Sequence, residues 1–262
     1  MAATADELRA AMVATIRARH GVHDERVLAA LASVPRHEFV DPTIPLETAY
    51  EPAIALPARG FDPGQITTTV SAPNLVAWTI QELHVQPGMA VLEIGTGSGW
   101  NAALLAELGC RVTTVEIDGT LVEPARRRLA AVGHGDVRVV HGDGDDGVPD
   151  GAPYDRIVGT VGCNDLAPAW FDQLAPDGYM LVPLRHGSLH PTVRATADRT
   201  ATFLIMSGFV AVLGAQAGDV AADAEVGHHD LDRLTASFVP RGTGEGDWVV
   251  PRIHHDEVLS LR

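Results

Sequence analysis

The chain has 262 residues, of which 46% are hydrophobic, and its formal net charge is −15. This length and composition allow one globular domain with a sizeable core, with or without a small appendage. The acidic charge repels a phosphate backbone and no basic stripe offsets it, so nucleic acid is not expected as a partner. No apolar run reaches the ~18 residues of a membrane span and the N-terminus lacks an apolar signal core, so we expect no membrane partner and a cytoplasmic protein.

The residue types that usually hold metals are present without a binding pattern. Neither of the two cysteines, Cys110 and Cys163, sits in a CxxC or a disulfide framework. The adjacent histidines of His228-His229 and His254-His255 point to opposite sides of a strand or to different faces of a helix. The sequence therefore predicts no metal.

The first seventy residues are predicted to be helical and then irregular. Apolar residues recur at helical spacing over 5–19 and again over 24–33. Residues 40–70 carry many prolines and few periodic stretches, which indicates a loop. We therefore treat residues 1–70 as an N-terminal helical and loop segment that contributes to the substrate site.

Strands and helices alternate after Ser71, which is expected to be the N-cap of a helix with Pro73 in its first turn. Strands are predicted at 89–94, 112–115, 137–140, 154–159 and 179–183, and helices at 101–108, 121–132 and 169–174. This alternation predicts an α/β fold, a mostly parallel sheet with helices on both faces. Two further β-like stretches, 192–197 and 201–213, are expected to add a meander at one edge. The predicted α/β domain is 71–213, and 214–262 form an acidic C-terminal appendage.

A glycine-rich turn, Gly95-Thr96-Gly97-Ser98-Gly99, follows the first strand of this region. Glycine allows a close backbone approach, and the next helix offers free N–H groups to a polar ligand. The spacing is G-x-G-x-G, not the G-x-G-x-x-G of dinucleotide-binding proteins, in which the helix faces a pyrophosphate. S-adenosyl-L-methionine has no pyrophosphate, so the turn favours that cofactor. Taken alone, the turn leaves a nicotinamide enzyme or a plain tight turn open.

Two acids at the ends of the next strands support the same ligand. Glu116 ends the second strand, where a carboxylate can accept both ribose hydroxyls. Asp143 follows the third strand within Gly142-Asp143-Gly144, where it can accept from an adenine amino group. Because the carboxyl ends of parallel strands meet at one edge of a sheet, we expect these groups and the glycine turn to serve one ligand.

Ordered motifs between Arg26 and Leu184 resemble one known family. They are Val34–Val40, Ala49-Tyr50-Glu51, Thr68–Pro73, Val91–Gly99, Glu116, Gly142-Asp143-Gly144, Tyr154-Asp155 and Asp172-Gln173-Leu174. The set is similar to that of the protein-L-isoaspartate O-methyltransferases. This resemblance implies a Rossmann-like class I S-adenosylmethionine-dependent methyltransferase fold over 71–213. It also implies a peptide or protein substrate in which an aspartyl or isoaspartyl carboxylate receives the methyl group.

The resemblance also implies roles for individual residues. Ser71 and its neighbours Thr69 and Thr68 are expected to face the methyl acceptor and are the predicted catalytic residues. The predicted cofactor-binding residues are Ser71, Glu93, Gly95, Thr96, Gly97, Gly99, Asn101, Glu116, Ile117, Gly142, Asp143, Gly144 and Thr160. A carboxylate of pKa about 4 is already ionised at neutral pH, so alignment matters more than acid–base chemistry.

Departures from the family pattern favour a special substrate. Thr68 stands where Gln or Ala is usual, Val161–Asn164 replaces Ala-Ala-Ala-Pro, and the usual pattern is lost after Leu184. A branch that modifies ribosomally made peptides is similar at Thr160-Val161-Gly162, Pro168-Ala169-Trp170, Pro183-Leu184-Arg185 and Gly208-Phe209-Val210. The leading hypothesis is therefore a tailoring enzyme that converts one aspartate of a lanthipeptide, graspetide or lasso peptide to an aspartimide. A general repair enzyme, a small-molecule O-methyltransferase and a non-catalytic cofactor-binding module are the alternatives.

Overall fold

The computed structural model describes residues 3–58, 68–184, 190–207, 235–240 and 249–254. The chain forms two compact units: the first runs to Val91 and includes Thr96–Gly142, and the second comprises Leu92–Gly95 and the residues from Asp143 onward. Most of the predicted appendage, 214–262, lies outside the described residues, as do His228-His229, Arg185 and Gly208-Phe209-Val210. The functional division after residues 70 and 213 stays a prediction.

Two helices open the first unit at the predicted positions: α1, Ala5–Arg19, and α2, Glu25–Ser33. Thr4 and Glu7 form a reciprocal capping box at the start of α1, which satisfies N–H groups that the helix itself leaves unpaired. The Asp24 side chain caps α2 by accepting from the N–H groups of Arg26 and Val27. The two helices pack against each other through their apolar faces.

The proline-rich stretch that follows contains short regular elements. Helix α3 spans Leu46–Ala49, and strand β1, Leu56–Pro57, pairs antiparallel with β2, Thr69–Val70. Helix α4, Pro73–Glu82, begins at its proline, with Ala72 at the N-cap position and no side-chain cap. The expectation that Ser71 caps this helix is wrong by one residue, because Pro73 occupies the first helical position, where proline is favoured, and this makes Ala72 the N-cap residue.

The remaining elements of the first unit belong to the alternating region. Strand β3 spans Ala90–Ile94, and its first two residues lie in this unit. The elements that follow are α5, Trp100–Glu107, β4, Arg111–Glu116, α6, Gly119–Ala131, and β5, Arg138–His141. Strands β4 and β5 pair in parallel, with Glu116 opposite His141. Helices α5 and α6 both pack on β4, so buried contacts with these two helices hold the strand whose end carries Glu116.

The second unit continues the parallel pattern and then changes direction. Its elements after the end of β3 are β6, Tyr154–Gly159, α7, Pro168–Gln173, β7, Leu174–Pro183, β8, His190–Thr196, β9, Thr200–Ser207, β10, Thr235–Pro240, and β11, Val249–His254. Strands β6 and β7 are parallel, whereas β7 to β11 pair antiparallel in chain order. The predicted meander is thus present as β8 and β9, and 208–213 lie outside the described residues.

No helix in the described ranges is long and apolar enough to cross a membrane. The same residues contain no group of three or more His, Cys, Asp or Glu side chains that could hold a metal ion.

Candidate functional site

The two glycines of the turn that lie in the first unit have the conformation that the sequence predicts. Gly97 and Gly99 have φ values of 52° and 94°, and Gly99 occupies the N-cap position of α5. A Cβ atom on Gly97 would lie 3.3 Å from Cγ2 of Thr68. The structure therefore brings the predicted catalytic residue Thr68 against the predicted cofactor turn, where only glycine fits without crowding.

Thr96, between these glycines, is turned inward. Its hydroxyl lies 2.7 Å from that of Thr114, and its main-chain N–H donates to the Val115 carbonyl at 3.2 Å. These contacts attach the turn to β4. Thr96 therefore supports the turn through its side chain and stays a predicted cofactor residue.

The Glu116 carboxylate is held at the end of β4 by two main-chain donors. Oε2 accepts from the Gly97 N–H at 2.8 Å, and Oε1 accepts from the Asp118 N–H at 3.0 Å. An ionised carboxylate offers about four acceptor positions, so about two remain for further donors. Two free acceptor positions beside a glycine turn are what a ribose diol requires, so this part of the structure fits the nucleoside of S-adenosylmethionine.

Ile117 and Gly142 adjoin the main chain of Glu116 in the same unit. The Gly142 N–H donates to the Glu116 carbonyl at 3.0 Å, and Nε2 of His141 lies 3.2 Å from the Ile117 carbonyl oxygen. Asn101, at the second position of α5, is half-buried. Ile117, Gly142 and Asn101 thus belong to the same unit as Glu116, and their role in cofactor binding stays a prediction.

The predicted acceptor-facing segment is held by a buried arginine. Nη2 of Arg36 lies 3.2 Å from the Val70 carbonyl oxygen and 3.1 Å from that of Ser71. Burial lowers the pKa of Arg36 to about 10, so the guanidinium remains charged at neutral pH. In the sequence Arg36 is part of the Val34–Val40 motif and is followed by His37 and Glu38, so no local pattern marks it as a buried residue.

In the second unit, Gly95 is enclosed by the residues that follow β6. Its φ is 96°, and a Cβ atom there would lie 2.8 Å from Thr160 Oγ1 and 2.9 Å from Val161 Cγ1. The Thr160 hydroxyl lies 2.6 Å from the Gly95 carbonyl oxygen and 3.0 Å from that of Ile94. Thr160 therefore donates to the turn itself, which leaves its oxygen lone pairs for any ligand contact. Glu93, one residue earlier in β3 than Ile94, is fully buried.

The loop after β5 carries Asp143 and is tied to α7. Asp143 Oδ1 accepts from the Asp145 N–H at 3.1 Å, which starts a short 3₁₀ turn. The Trp170 indole N–H donates to the Gly144 carbonyl at 2.7 Å. Trp170 thus fixes the main chain next to the predicted adenine-binding carboxylate.

Gln173 holds the other end of this loop. Its Oε1 accepts from the Val148 N–H, and its Nε2 donates to the Asp146 carbonyl, both at 2.8 Å. The side chain is 5% exposed, so each bond replaces one that water would otherwise make. Gln173 belongs to the family motif Asp172-Gln173-Leu174, but no local pattern in the sequence indicates this role.

The predicted site residues fall into two groups by unit. The first unit contains Thr68, Thr69, Ser71, Thr96, Gly97, Gly99, Asn101, Glu116, Ile117 and Gly142, and the second contains Glu93, Gly95, Asp143, Gly144 and Thr160. Within each group the structure brings predicted residues into contact. Arg36, Trp170 and Gln173 support these groups and were not predicted.

Comparisons with known proteins match these features to one family. The family model for Protein-L-isoaspartate(D-aspartate) O-methyltransferase matches residues 7–212. A protein-L-isoaspartate O-methyltransferase from Salinibacter ruber is 40% identical over 200 residues, which cover 72% of this chain and 83% of that relative. A protein of the same name from Gloeobacter violaceus is 44% identical over 164 residues, covering 63% of this chain and 76% of its own.

Solved structures agree with the sequence comparisons. A protein-L-isoaspartate O-methyltransferase structure has a TM-score of 0.72 and 30% identity, covering 79% of this chain and 67% of that chain. A Plasmodium falciparum protein of that description, solved with S-adenosyl-L-homocysteine, has a TM-score of 0.65 and covers 77% of this chain and 96% of its own. Its identity is 17%, so it bears on the fold alone. Together the two structures confirm the predicted fold class.

Proposed function

Because the chain belongs to the protein-L-isoaspartate(D-aspartate) O-methyltransferase family and is an S-adenosylmethionine-dependent methyltransferase, we propose that it methylates isoaspartyl carboxylates in damaged proteins. The observation that carries this proposal is the family match over residues 7–212, which includes the Thr68–Pro73 segment. General repair is favoured over a dedicated peptide because the curated relatives that match bear the name of the repair-type enzyme.

We assign cofactor binding to the residues that the sequence predicts. Glu116 accepts the ribose hydroxyls with its remaining lone pairs, and Asp143 accepts from the adenine amino group. The glycines let the main chain approach the ligand closely. Bound S-adenosylmethionine supplies an electrophilic methyl group on its sulfonium. Trp170 and Gln173 keep the loop that carries Asp143 in place.

The acceptor is assigned to Ser71, Thr69 and Thr68. Their hydroxyls orient an already ionised carboxylate by donating to one oxygen, which leaves the other oxygen free as the nucleophile. This oxygen bonds to the methyl carbon while the carbon–sulfur bond breaks and its electron pair stays on sulfur. No proton moves in that step, so the residues act through alignment, which can contribute roughly 7–11 kcal/mol.

The methyl ester prepares a second, spontaneous step. The next backbone amide nitrogen attacks the ester carbonyl and loses its proton, and methoxide leaves and takes up a proton as methanol. A succinimide ring results, and water opens it to an aspartyl or isoaspartyl link. The enzyme therefore needs no general base of its own for ring closure.

The test is a methyl-transfer assay on paired peptides that differ only in one isoaspartyl or aspartyl residue. We expect ester formation on linear isoaspartyl peptides of unrelated sequence, followed by loss of methanol in mass spectrometry. Thr69→Val should lower turnover while binding of S-adenosylhomocysteine persists, because Thr69 is assigned to the acceptor and not to the cofactor. Binding of that product with no ester on any isoaspartyl peptide would contradict the proposal and favour a non-catalytic module.

A second candidate is the dedicated tailoring of one aspartate in a constrained peptide. It is favoured by the end of the family match at residue 212 of 262 and by the departures at Thr68 and Val161–Asn164. Under this hypothesis residues 1–70 and 214–262 recognise the peptide. Turnover of an aspartate-containing cyclic peptide, with none on linear isoaspartyl peptides, would replace the first candidate by the second.

A further inference from the structure

Arg36 connects two chain segments that are separate in the sequence. Its Nη1 donates to the Ala49 carbonyl, and its Nη2 lies 3.0 Å from the Ile54 carbonyl oxygen. The same Nη2 contacts the Val70 and Ser71 carbonyl oxygens described above. One guanidinium thus holds the main chain on both sides of the β1–β2 pair, including the residue assigned to the acceptor.

The other face of Arg36 contacts the helix that follows the glycine turn. Its Cζ lies 5.2 Å from the ring centroid of Trp100, the first residue of α5. Trp100 follows Gly99 directly and is 2% exposed. Arg36 therefore touches both the acceptor segment and the start of the helix that carries the cofactor turn.

The charge of Arg36 is unusual for a purely structural contact. Arg36 is 0% exposed, no carboxylate pairs with it in the described ranges, and its Nε has no hydrogen-bond partner there. Desolvating a charge opposes folding, and the bonds from Arg36 to main-chain carbonyls offset that cost. Reaching several carbonyls at once requires an arginine, because only its guanidinium presents five donors in one plane.

We propose that Arg36 is a positioning residue that fixes the Val70–Ser71 main chain relative to the Gly97–Trp100 turn, so that acceptor and methyl group are aligned. This inference rests on the proposed function for its catalytic consequence. It differs from that function in assigning alignment to a buried arginine that contacts neither ligand.

The test compares Arg36→Lys with a matched control, Arg26→Lys. Arg26 also donates to main-chain carbonyls of the first unit, at 2.9 Å to Val85 and 3.1 Å to Leu108, but not to the acceptor segment. For Arg36→Lys we expect kcat/KM for an isoaspartyl peptide to fall between about tenfold and a hundredfold, because lysine keeps the charge and loses the fork. The Kd of S-adenosylhomocysteine should stay within about twofold of wild type.

A second readout needs no turnover. Hydrogen exchange of the amides in 68–74 should accelerate in Arg36→Lys and stay unchanged in Arg26→Lys, although both variants lower Tm. Arg36→Gln, whose neutral amide is easier to bury, replaces Arg36→Lys if the latter does not fold, with the same expected direction.

The proposal is overturned by any of three results. These are a kcat/KM of the Arg36 variant within about twofold of wild type, an equal loss in Arg26→Lys, or unchanged exchange at 68–74. If wild type methylates no isoaspartyl peptide, the proposed function fails by itself. The exchange measurement then still decides whether Arg36 orders the segment.

Discussion

The Thr160 hydroxyl donates a hydrogen bond of 2.6 Å to the carbonyl oxygen of Gly95, the first glycine of the turn. The same hydroxyl oxygen would be 2.8 Å from a Cβ atom on Gly95, a separation that real Cβ atoms do not adopt. The positive φ of Gly95 and the short distance to Thr160 therefore exclude larger residues for two independent reasons. The stability of variants at Gly95 tests both reasons.

Gly95→Ala should destabilise the protein by more than the backbone penalty alone. Gly133→Ala is the matched control, because Gly133 has a φ of 92° and a Cβ atom added to it would meet nothing within 4 Å. We expect about 1–2 kcal/mol for the control and a clearly larger loss for Gly95→Ala, measured by urea unfolding. Equal losses would show that Thr160 and Val161 move aside freely.

Glu116→Gln should weaken binding of S-adenosylhomocysteine about tenfold to a hundredfold, measured by calorimetry. The amide loses the charge that strengthens each bond to a donor, worth about 1.5–3 kcal/mol, and its NH₂ group opposes one of the two main-chain N–H donors. Glu107→Gln removes the same charge from α5, where Glu107 pairs with His134 at 3.2 Å, and should leave this affinity unchanged. Similar affinities for both variants would contradict the ribose assignment.

Gln173→Leu should lower both stability and cofactor affinity. It leaves the buried Val148 N–H without its partner, at about 1–3 kcal/mol, removes the bond to the Asp146 carbonyl, and releases the loop that begins at Asp143. Gln81→Leu is the control, because Gln81 accepts from the His23 and Asp24 N–H groups at 2.7 and 3.0 Å, and none of these three is a predicted site residue. It should lower Tm while the Kd of S-adenosylhomocysteine is retained. If both variants weaken binding of S-adenosylhomocysteine equally, the loss of affinity comes from general destabilisation and not from release of the loop that begins at Asp143.

The capping box of α1 should give a pH-dependent contribution to stability. The N–H and hydroxyl of Thr4 hold the pKa of Glu7 below its usual value, so the folded state favours the ionised carboxylate. This contribution is present above the pKa of the unfolded chain and is lost as pH falls through the lower pKa of the folded state. Wild type should exceed Glu7→Gln in stability at pH ~7, and the difference should disappear at pH ~2. A difference that is constant with pH would contradict this assignment.

Local patterns predicted most of the secondary structure because periodicity is a property of neighbouring residues. Strand β6, Tyr154–Gly159, has the predicted bounds, and α2 differs by one residue at its start. The 40–70 region was predicted as loop, yet contains α3 and the β1–β2 pair. Two-residue strands leave no periodic signal, and their pairing depends on residues outside each strand.

The sequence by itself determined the cofactor class and the family, because glycine spacing and strand-end acids such as Glu116 are written in short, ordered motifs. Only the tertiary structure decided what holds these motifs in place. Arg36 contacts Ser71 across 35 positions, and Gln173 contacts Val148 across 25. A buried charge or amide is stabilised only by the particular carbonyls and N–H groups that folding brings to it. No local pattern records which ones those are.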